Sequence, residues 1–206
     1  MSTTLSLPRA RTRHIGPDDH GRKVPFGEFI RADFEEGWLY ELARGVVVVT
    51  DVPNPDHGEI VDRITDLFVF YRRRHPGLIR YRAAGSDCRI RAPFMKSDRH
   101  PDQAVYLDPR PEGDEAVWTR WVPHIVVEVV SKGSHRRDYV EKAEEYLRIG
   151  VREYWVLDPA KKQMLVHLRE GDTWHREIVP AGKTYKTTLL PGLVVKPGEL
   201  LGLTSR

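Results

Sequence analysis

The sequence predicts an α/β protein built on a mixed central sheet that is flanked by helices. The run Ile125-Val126-Val127-Glu128-Val129-Val130 is apolar at alternating positions on both faces, which is typical of a strand covered on both sides. A helical stretch of about 15 residues and a second apolar strand over 154–157 follow it, and such strand–helix–strand units place their strands parallel. Upstream, apolar side chains recur at helical spacing over residues 57–74.

The N-terminal part predicts a hairpin followed by one long helix. Residues 39–49 are expected to form two strands joined at Ala43-Arg44-Gly45, and Asn54-Pro55-Asp56 supplies a turn and a helix cap. Beyond this cap, five apolar side chains at i, i+4, i+7, i+8 and i+11 mark an amphipathic helix over 57–74: Ile60, Ile64, Leu67, Phe68 and Tyr71.

The middle of the chain predicts shorter elements. Strands are expected near 78–83 and 87–92, and the polar residues 96–100 predict a loop. Residues 102–107 predict another strand, and the charged, proline-bearing stretch 108–121 predicts a second loop before the valine-rich strand.

The C-terminal part predicts one helix and a further hairpin. Ser134 is a good N-cap and Gly150 a usual C-terminal residue, so the helix is expected between them. Strands over 163–169 and 173–179 flank Glu170-Gly171-Asp172, and a short strand over 193–195 ends the pattern.

Composition limits the class of protein. No stretch reaches the roughly 18 apolar residues of a membrane span, and the N-terminus has no apolar core of a secretory signal, so no membrane partner is expected. The single Cys88 excludes an internal disulfide and a cysteine-rich zinc site, which is compatible with a cytoplasmic protein. Residues 1–23 lack apolar periodicity and predict a disordered basic tail, with a single domain over residues 24–206.

Glu128 interrupts the valine-rich strand with a carboxylate. Carboxylates are rarely buried without a partner, since an unpaired buried charge costs several kcal/mol or takes up a proton. Glu128 therefore needs a basic side chain, a metal ion or a proton. A buried ion pair with Arg99 or Lys142 is the structural alternative to a metal site.

Asp102 is the second carboxylate of interest. It begins the strand expected over 102–107, which precedes the strand of Glu128 along the chain. The two side chains can therefore reach the same edge of the sheet. Two carboxylates supplemented by a backbone carbonyl suit a hard cation such as Mg²⁺. An aspartate after a proline is also common as a plain turn residue, and this alternative stays open.

Three side chains form a row on the helix that follows Glu128. Asp138, Lys142 and Tyr146 fall at i, i+4 and i+8, and Lys142 borders the apolar stripe of the helix. Alone, Asp138 and Lys142 would make an ordinary surface pair. Beside a two-carboxylate site, a lysine can orient or deprotonate an attacking water and offset charge on a phosphoryl transition state.

Basic side chains are paired at strand spacing in the middle of the chain. Arg80 with Arg82, and Arg89 with Arg91, each project from one face of a strand. They form either a solvated face or a surface that meets nucleic-acid phosphates. The net charge of +3 is compatible with nucleic acid but too small to argue for it alone.

Together these residues resemble the PD-(D/E)XK motif of restriction-endonuclease-like nucleases and, more narrowly, the Uma-two family of putative endonucleases. The resemblance spans about residues 25–200, and the Asp-x3-Lys-x3-Tyr helix followed by the Glu-Tyr-Trp strand makes it specific. Its motifs are Tyr40-Glu41-Leu42, Pro55-Asp56-His57, Pro101-Asp102, Val126-Val127-Glu128-Val129, the row Asp138, Lys142 and Tyr146, and residues 150–159.

The resemblance implies a restriction-endonuclease-like core with added N- and C-terminal β-hairpins and metal-dependent phosphodiester hydrolysis. Asp102, Glu128 and the Val129 carbonyl would be the ligands of Mg²⁺ or Mn²⁺. The superfamily's lysine position, two residues after the glutamate, holds Val130 here. Lys142 is the expected migrated substitute, with Lys132 as its rival.

Four further residues would be auxiliary members of the site. Glu41 would add an acidic group from the N-terminal hairpin, although an exposed strand glutamate is an equal alternative. His57, at the start of a helix, could hydrogen-bond a ligand carboxylate or a phosphate, although a plain helix-start histidine is an equal alternative. Asp138 and Tyr146 flank Lys142. Gln103 departs from the family pattern, in which an apolar residue is usual.

The function expected from these residues is a Mg²⁺-dependent endonuclease acting on nucleic acid, with DNA the favoured substrate. Its alternative is a nucleic-acid-binding or assembly module that kept the scaffold without turnover, which the valine at position 130 motivates. A hydrolase of another phosphodiester is a third, weaker interpretation. A homodimer is expected by analogy, because cutting both strands of a duplex needs two active sites.

Overall fold

The computed structural model describes residues 12–51, 54–113 and 117–203. By their contacts, the described residues up to position 52 form one compact unit with 93–98, and the described residues within 53–92 and 99–206 form a second. The prediction of a single nuclease-like domain over 24–206 stays a prediction.

The described chain contains fourteen strands and five α-helices. The strands are β1 (His14–Ile15), β2 (Asp33–Phe34), β3 (Trp38–Ala43), β4 (Val46–Asp51), β5 (Tyr81–Ala83), β6 (Ile90–Ala92), β7 (Ser97–Arg99), β8 (Gln103–Tyr106), β9 (Ile125–Val129), β10 (Glu153–Asp158), β11 (Gln163–Glu170), β12 (Thr173–Pro180), β13 (Tyr185–Lys186) and β14 (Val194–Val195). The helices are α1 (Phe26–Phe29), α2 (Pro55–Arg74), α3 (Val117–Arg120), α4 (Lys142–Ile149) and α5 (Pro197–Leu200). The stretch predicted as a loop over 108–121 thus contains α3.

The first unit is built on the predicted β3–β4 hairpin. Its turn uses Arg44 and Gly45, both with positive φ (51° and 83°), as a two-residue hairpin turn requires. The unit has its own small apolar core, in which Leu42 and Val47 are fully buried.

The prediction of a disordered tail over residues 1–23 needs correction in its second half. Residues 1–11 lie outside the described residues. Beyond them, β1 pairs with β2 in parallel, and Ile15 is fully buried in the core of the first unit. A single buried isoleucine between polar residues produces no periodicity, so no sequence pattern predicts this strand.

The prediction of a polar loop over 96–100 was wrong, because residues 97–99 form β7 and are fully buried. The Ser97 hydroxyl accepts the N–H of Arg44 at 3.0 Å. Arg99, at which the chain returns to the second unit, donates to both carboxylate oxygens of Glu145 at 2.8 Å each. Satisfied hydrogen bonds make the burial of these polar groups tolerable.

The second unit is organised around a six-stranded mixed sheet of order β12-β11-β10-β9-β8-β5. Strands β9 and β10 are parallel, with Val129 opposite Leu157, and the other neighbours are antiparallel. This confirms the predicted α/β class, the strand–helix–strand unit and the β11–β12 hairpin. A separate pair, β13 and β14, is antiparallel.

Helices cover both faces of this sheet. On one face α2 packs through Phe68, whose ring stacks on Trp155 at 5.7 Å. On the other face α4 packs through Tyr146 against Tyr154 and Val126. Successive residues of β9 alternate between faces, so Glu128 shares the α4 side with Val126.

A π-helical turn over Arg137–Glu141 leads into α4. The Lys142 N–H bonds to the Arg137 carbonyl, five residues back, in place of the usual four. The helix ends where predicted, at Gly150, whose φ of 106° is a left-handed conformation that favours glycine. Among the described residues, no helix combines the length and apolarity that crossing a bilayer requires.

Candidate active site

Asp102 directly precedes β8 and faces the strand of Glu128. Gln103 lies opposite Val127, so extending this register by one residue sets Asp102 opposite Glu128. The Oδ2 atom of Asp102 accepts the Val129 N–H at 2.7 Å and lies 3.2 Å from His57 Nε2. The side chain stays 19% exposed. Asp102 therefore links β9 to the start of α2 while keeping access to solvent.

Glu128 is almost completely buried and has two partners at one oxygen. Its Oε1 atom lies 2.8 Å from Lys142 Nζ and accepts the Tyr146 hydroxyl at 2.8 Å. The buried carboxylate therefore has a basic partner. This partner is Lys142, one of the two residues that the sequence offered for a buried ion pair. Arg99, the other candidate, is paired with Glu145.

The predicted row on the helix faces the sheet as a connected group. Asp138 Oδ1 lies 3.7 Å from Lys142 Nζ, and Asp138 Oδ2 accepts a short hydrogen bond from the Ser134 hydroxyl. Burial raises the pKa of Asp138, while Lys142 and Ser134 act against that rise.

His57 lies in the first turn of α2, where its backbone N–H is capped by the Asn54 side chain at 3.0 Å. Burial acts to lower the pKa of its imidazole, but the hydrogen bond and charge of Asp102, the charge of Glu128 and the Val129 carbonyl outweigh burial and raise it. The space between Asp102, Glu128 and the Val129 carbonyl, called the acidic corner below, therefore favours positive charge.

The donors at this corner suit a hard divalent cation. Within the described ranges, no three His, Cys, Asp or Glu side chains gather as a metal-binding group. The available set is two carboxylates, Asp102 and Glu128, with the Val129 carbonyl, and oxygen donors of this kind fit Mg²⁺ or Mn²⁺. Both hydrogen bonds of Asp102 use Oδ2. The negative potential that raises the His57 pKa would equally favour a cation.

The other predicted residues lie in different surroundings. Lys132 is exposed in the turn after β9, and Glu41 is buried in β3 of the first unit. Arg80 is exposed, Arg89 and Arg91 are half-buried, and Arg82 donates to Gln103 Oε1 at 2.7 Å. Their roles in catalysis or nucleic-acid binding stay predictions.

Gln103 is accommodated by a small polar network. It is fully buried and donates to Thr65 Oγ1 of α2 at 2.7 Å, while its oxygen accepts from Arg82. The polar residue that departs from the family pattern therefore has partners for both ends of its amide. It ties β8 to α2 next to Asp102.

Two contacts beside the site had no place in the sequence-based prediction. The Arg99–Glu145 pair joins residues 46 positions apart, for which no local signal exists. Ser134, predicted only as a cap, also donates to Asp138, and its spacing of four residues from Asp138 was a usable signal.

Comparison with known proteins places this geometry in context. The model of a family described as "Uma2: Putative restriction endonuclease" matches residues 26–198. The fold is similar to the crystal structure of a putative nuclease belonging to DUF820 from Anabaena variabilis, with a TM-score of 0.66 and 17% sequence identity over 87% of this chain and 98% of that chain. No curated protein matches the sequence.

Proposed function

Because the chain belongs to the Uma2 family of putative restriction endonucleases, we propose that it is a metal-dependent endonuclease that hydrolyses phosphodiester bonds of nucleic acid, with DNA as its substrate. One observation carries the proposal. A solvent-accessible carboxylate, Asp102, lies opposite a buried carboxylate, Glu128, that is in direct contact with a buried lysine, Lys142.

Asp102, Glu128 and the Val129 carbonyl would hold Mg²⁺ or Mn²⁺. When bound, such an ion supplies Lewis-acid polarisation of the scissile phosphate. The chain's own contribution is to fix the two carboxylates: the Val129 N–H holds Asp102, and the Tyr146 hydroxyl holds Glu128.

Lys142 is the proposed catalytic lysine. Its ammonium group, fixed by Glu128 and Asp138, would orient the attacking water and offset negative charge that grows on the phosphoryl oxygens. Lys132 is a weaker candidate because it is exposed in a turn, where solvent screens its charge. His57 would act as a positioning residue for Asp102, and Glu41 stays a proposed auxiliary acid.

A nucleic-acid-binding module without turnover is the second candidate. It is favoured by the ion pair of Glu128, in which Lys142 and Tyr146 satisfy this carboxylate without a metal ion. For either function we propose a homodimer in the cytoplasm. Light scattering on the purified protein tests the dimer.

The test compares cleavage and metal binding in matched variants. Wild type, Asp102→Asn and Asp172→Asn are incubated with duplex DNA, single-stranded DNA and RNA, with Mg²⁺, Mn²⁺ or chelator. Asp172 is a suitable control because its side chain is fully exposed in the β11–β12 turn. We expect metal-dependent cleavage that is lost only in Asp102→Asn.

Calorimetric titration with Mn²⁺ separates the two candidate functions. We expect heat of binding for wild type and Asp172→Asn, and a loss of binding for Asp102→Asn. Equal cleavage by all three proteins would refute the assignment of Asp102. Nucleic-acid binding without cleavage under any metal condition would favour the binding module.

A further inference from the structure

A second polar cluster lies at the end of β10, around the buried side chain of Asp158. Asp158 Oδ2 accepts the Tyr139 hydroxyl at 2.8 Å, and Oδ1 accepts the backbone N–H of Lys161 at 3.0 Å. The ammonium of Lys161 lies 3.8 Å from Oδ2. The carboxylate, 1% exposed, therefore fixes both a phenol and a lysine at the protein surface.

His135 completes this cluster. Its Nε2 atom lies 2.8 Å from Lys161 Nζ, and its ring stacks on Tyr139 with centroids 4.2 Å apart. An ammonium group can only donate, so His135 Nε2 accepts and the Nδ1 position carries the proton. The side chains of His135 and Lys161 are 54% and 46% exposed, so both have atoms available to a ligand.

The cluster lies at the same end of the sheet as Glu128. Strands β9 and β10 are parallel neighbours with Val129 opposite Leu157. Asp158 is the next residue along β10 and its last, so it lies one position beyond the level of Val129. Adjacent strands are about 4.8 Å apart. Within the π turn, Asp138 contacts Lys142 and the next residue, Tyr139, contacts Asp158.

Exposed lysines lie in the two turns that follow these strands. Lys132 lies in the turn after β9, and Lys161 and Lys162 lie in the turn after β10. The counter-charge in the cluster, Asp158, is buried beneath Lys161. The exposed side chains of these two turns are therefore positive, next to the acidic corner formed by Asp102 and Glu128, as contact with phosphates requires.

We infer that Lys161 and His135, held by Asp158 and Tyr139, form a subsite that binds a backbone phosphate of the nucleic acid beside the scissile bond. This inference rests on the proposed function, which supplies nucleic acid as the ligand. Lys161 provides the charge and His135 an N–H donor, and such phosphate contacts position a strand without reading its sequence. The fixed geometry reduces the entropy lost when the lysine binds.

The test measures binding without turnover. A fluorescein-labelled duplex of about 20 base pairs is titrated with protein in chelator at several salt concentrations, and anisotropy gives the affinity and its salt dependence. Lys161→Ala is compared with Lys186→Ala, an exposed lysine beside Tyr185, which contacts Glu153 at the opposite end of β10. Lys161→Arg tests rescue by a conserved charge.

We expect Lys161→Ala to bind about 5- to 10-fold more weakly at about 0.1 M salt, with a salt slope smaller by about 1, because one phosphate contact is lost. Lys186→Ala should match wild type, and Lys161→Arg should recover the slope. Inorganic phosphate at millimolar levels should not compete, since a single site gives a free ion little affinity. Equal affinities and slopes for Lys161→Ala and wild type would overturn the subsite.

The two proposals fail separately. Metal-dependent cleavage by wild type, with unchanged binding by Lys161→Ala, would refute the subsite and leave the endonuclease in place. Binding that depends on Lys161, with no cleavage under any metal condition, would support the subsite on a binding module and refute the endonuclease. A wild type that does not bind the duplex, its single strands or RNA would refute the subsite.

Discussion

Lys142 Nζ and Glu128 Oε1 lie 2.8 Å apart, and each side chain is only 4% exposed. Lys142 is the first residue of α4. The position two residues after Glu128, where the PD-(D/E)XK motif has its lysine, holds Val130. Removing both charges from water is costly, and the contacts of Tyr146 with Glu128 and of Asp138 with Lys142 offset part of that cost. A buried ion pair is weak evidence of a stabilising role, which is compatible with the catalytic role proposed for Lys142.

Removing the charge of one member of this pair should lower the free energy of unfolding more than removing both charges. We expect Lys142→Met to lower the free energy of unfolding by about 3–5 kcal/mol, because it leaves the Glu128 charge buried without its cation. The double variant Lys142→Met with Glu128→Gln should recover most of that loss. Urea unfolding of wild type, both single variants and the double variant gives the coupling energy. Additive effects would show that the two charges do not interact.

Arg99 should be intolerant of lysine in spite of the conserved charge. Its guanidinium donates two hydrogen bonds to Glu145, both side chains are fully buried, and an ammonium cannot reproduce that planar fork. We expect Arg99→Lys to cost about 3 kcal/mol by urea unfolding. Arg22→Lys is the control, since Arg22 is 65% exposed in its pair with Asp19 and should change stability by less than about 1 kcal/mol. Equal effects of the two substitutions would contradict this account.

Elements set by local patterns could be predicted from the sequence. The 3.6-residue period of α2, the unbroken valines of β9 and the glycine that ends α4 are each decided by neighbours in the chain. The row Asp138, Lys142 and Tyr146 followed from helical spacing in the same way, and these three side chains do face the sheet.

Features that depend on distant partners could not be predicted. The polar residues 97–99 are buried as β7, and Arg99 finds its partner only across 46 residues. The π turn likewise leaves no mark in the sequence, although it leads directly into Lys142. The cluster around Asp158 combines residues from a helix and a turn that meet only after β9 and β10 pair.

Gln103 offers a test of the polar network beside Asp102. Gln103→Leu would remove the partners of Arg82 and Thr65, and we expect a loss of about 1–3 kcal/mol because buried polar groups would lose their hydrogen bonds. Adding Thr65→Val should recover part of this loss, since both members of one hydrogen bond are then apolar. Thermal unfolding of the single and double variants measures the difference. No recovery in the double variant would mean that the loss of stability comes from the unpaired Arg82 and not from Thr65.

His167 should make the protein acid-sensitive. It is fully buried between the rings of Tyr154 and Trp174, and within the described residues neither ring nitrogen makes a hydrogen bond of good geometry. Burial lowers the pKa of His167 to about 4. The unfolded chain, with a pKa of about 6.5, then binds more protons than the native protein below that pH.

The contribution of neutral His167 to the free energy of unfolding is therefore fully present above a pH of about 6.5 and is lost as the pH falls toward 4. At a pH of about 4.5 the loss is about 2.5 kcal/mol. His167→Phe fills the same space without a titrating group, so it should keep wild-type stability at neutral pH and lose less on acidification. His175→Phe, at an exposed position of β12, should keep the wild-type pH dependence. Urea unfolding of the three proteins across this range gives the comparison. Parallel curves for wild type and His167→Phe would show that His167 acquires a hydrogen-bond partner in solution and is not held neutral by burial.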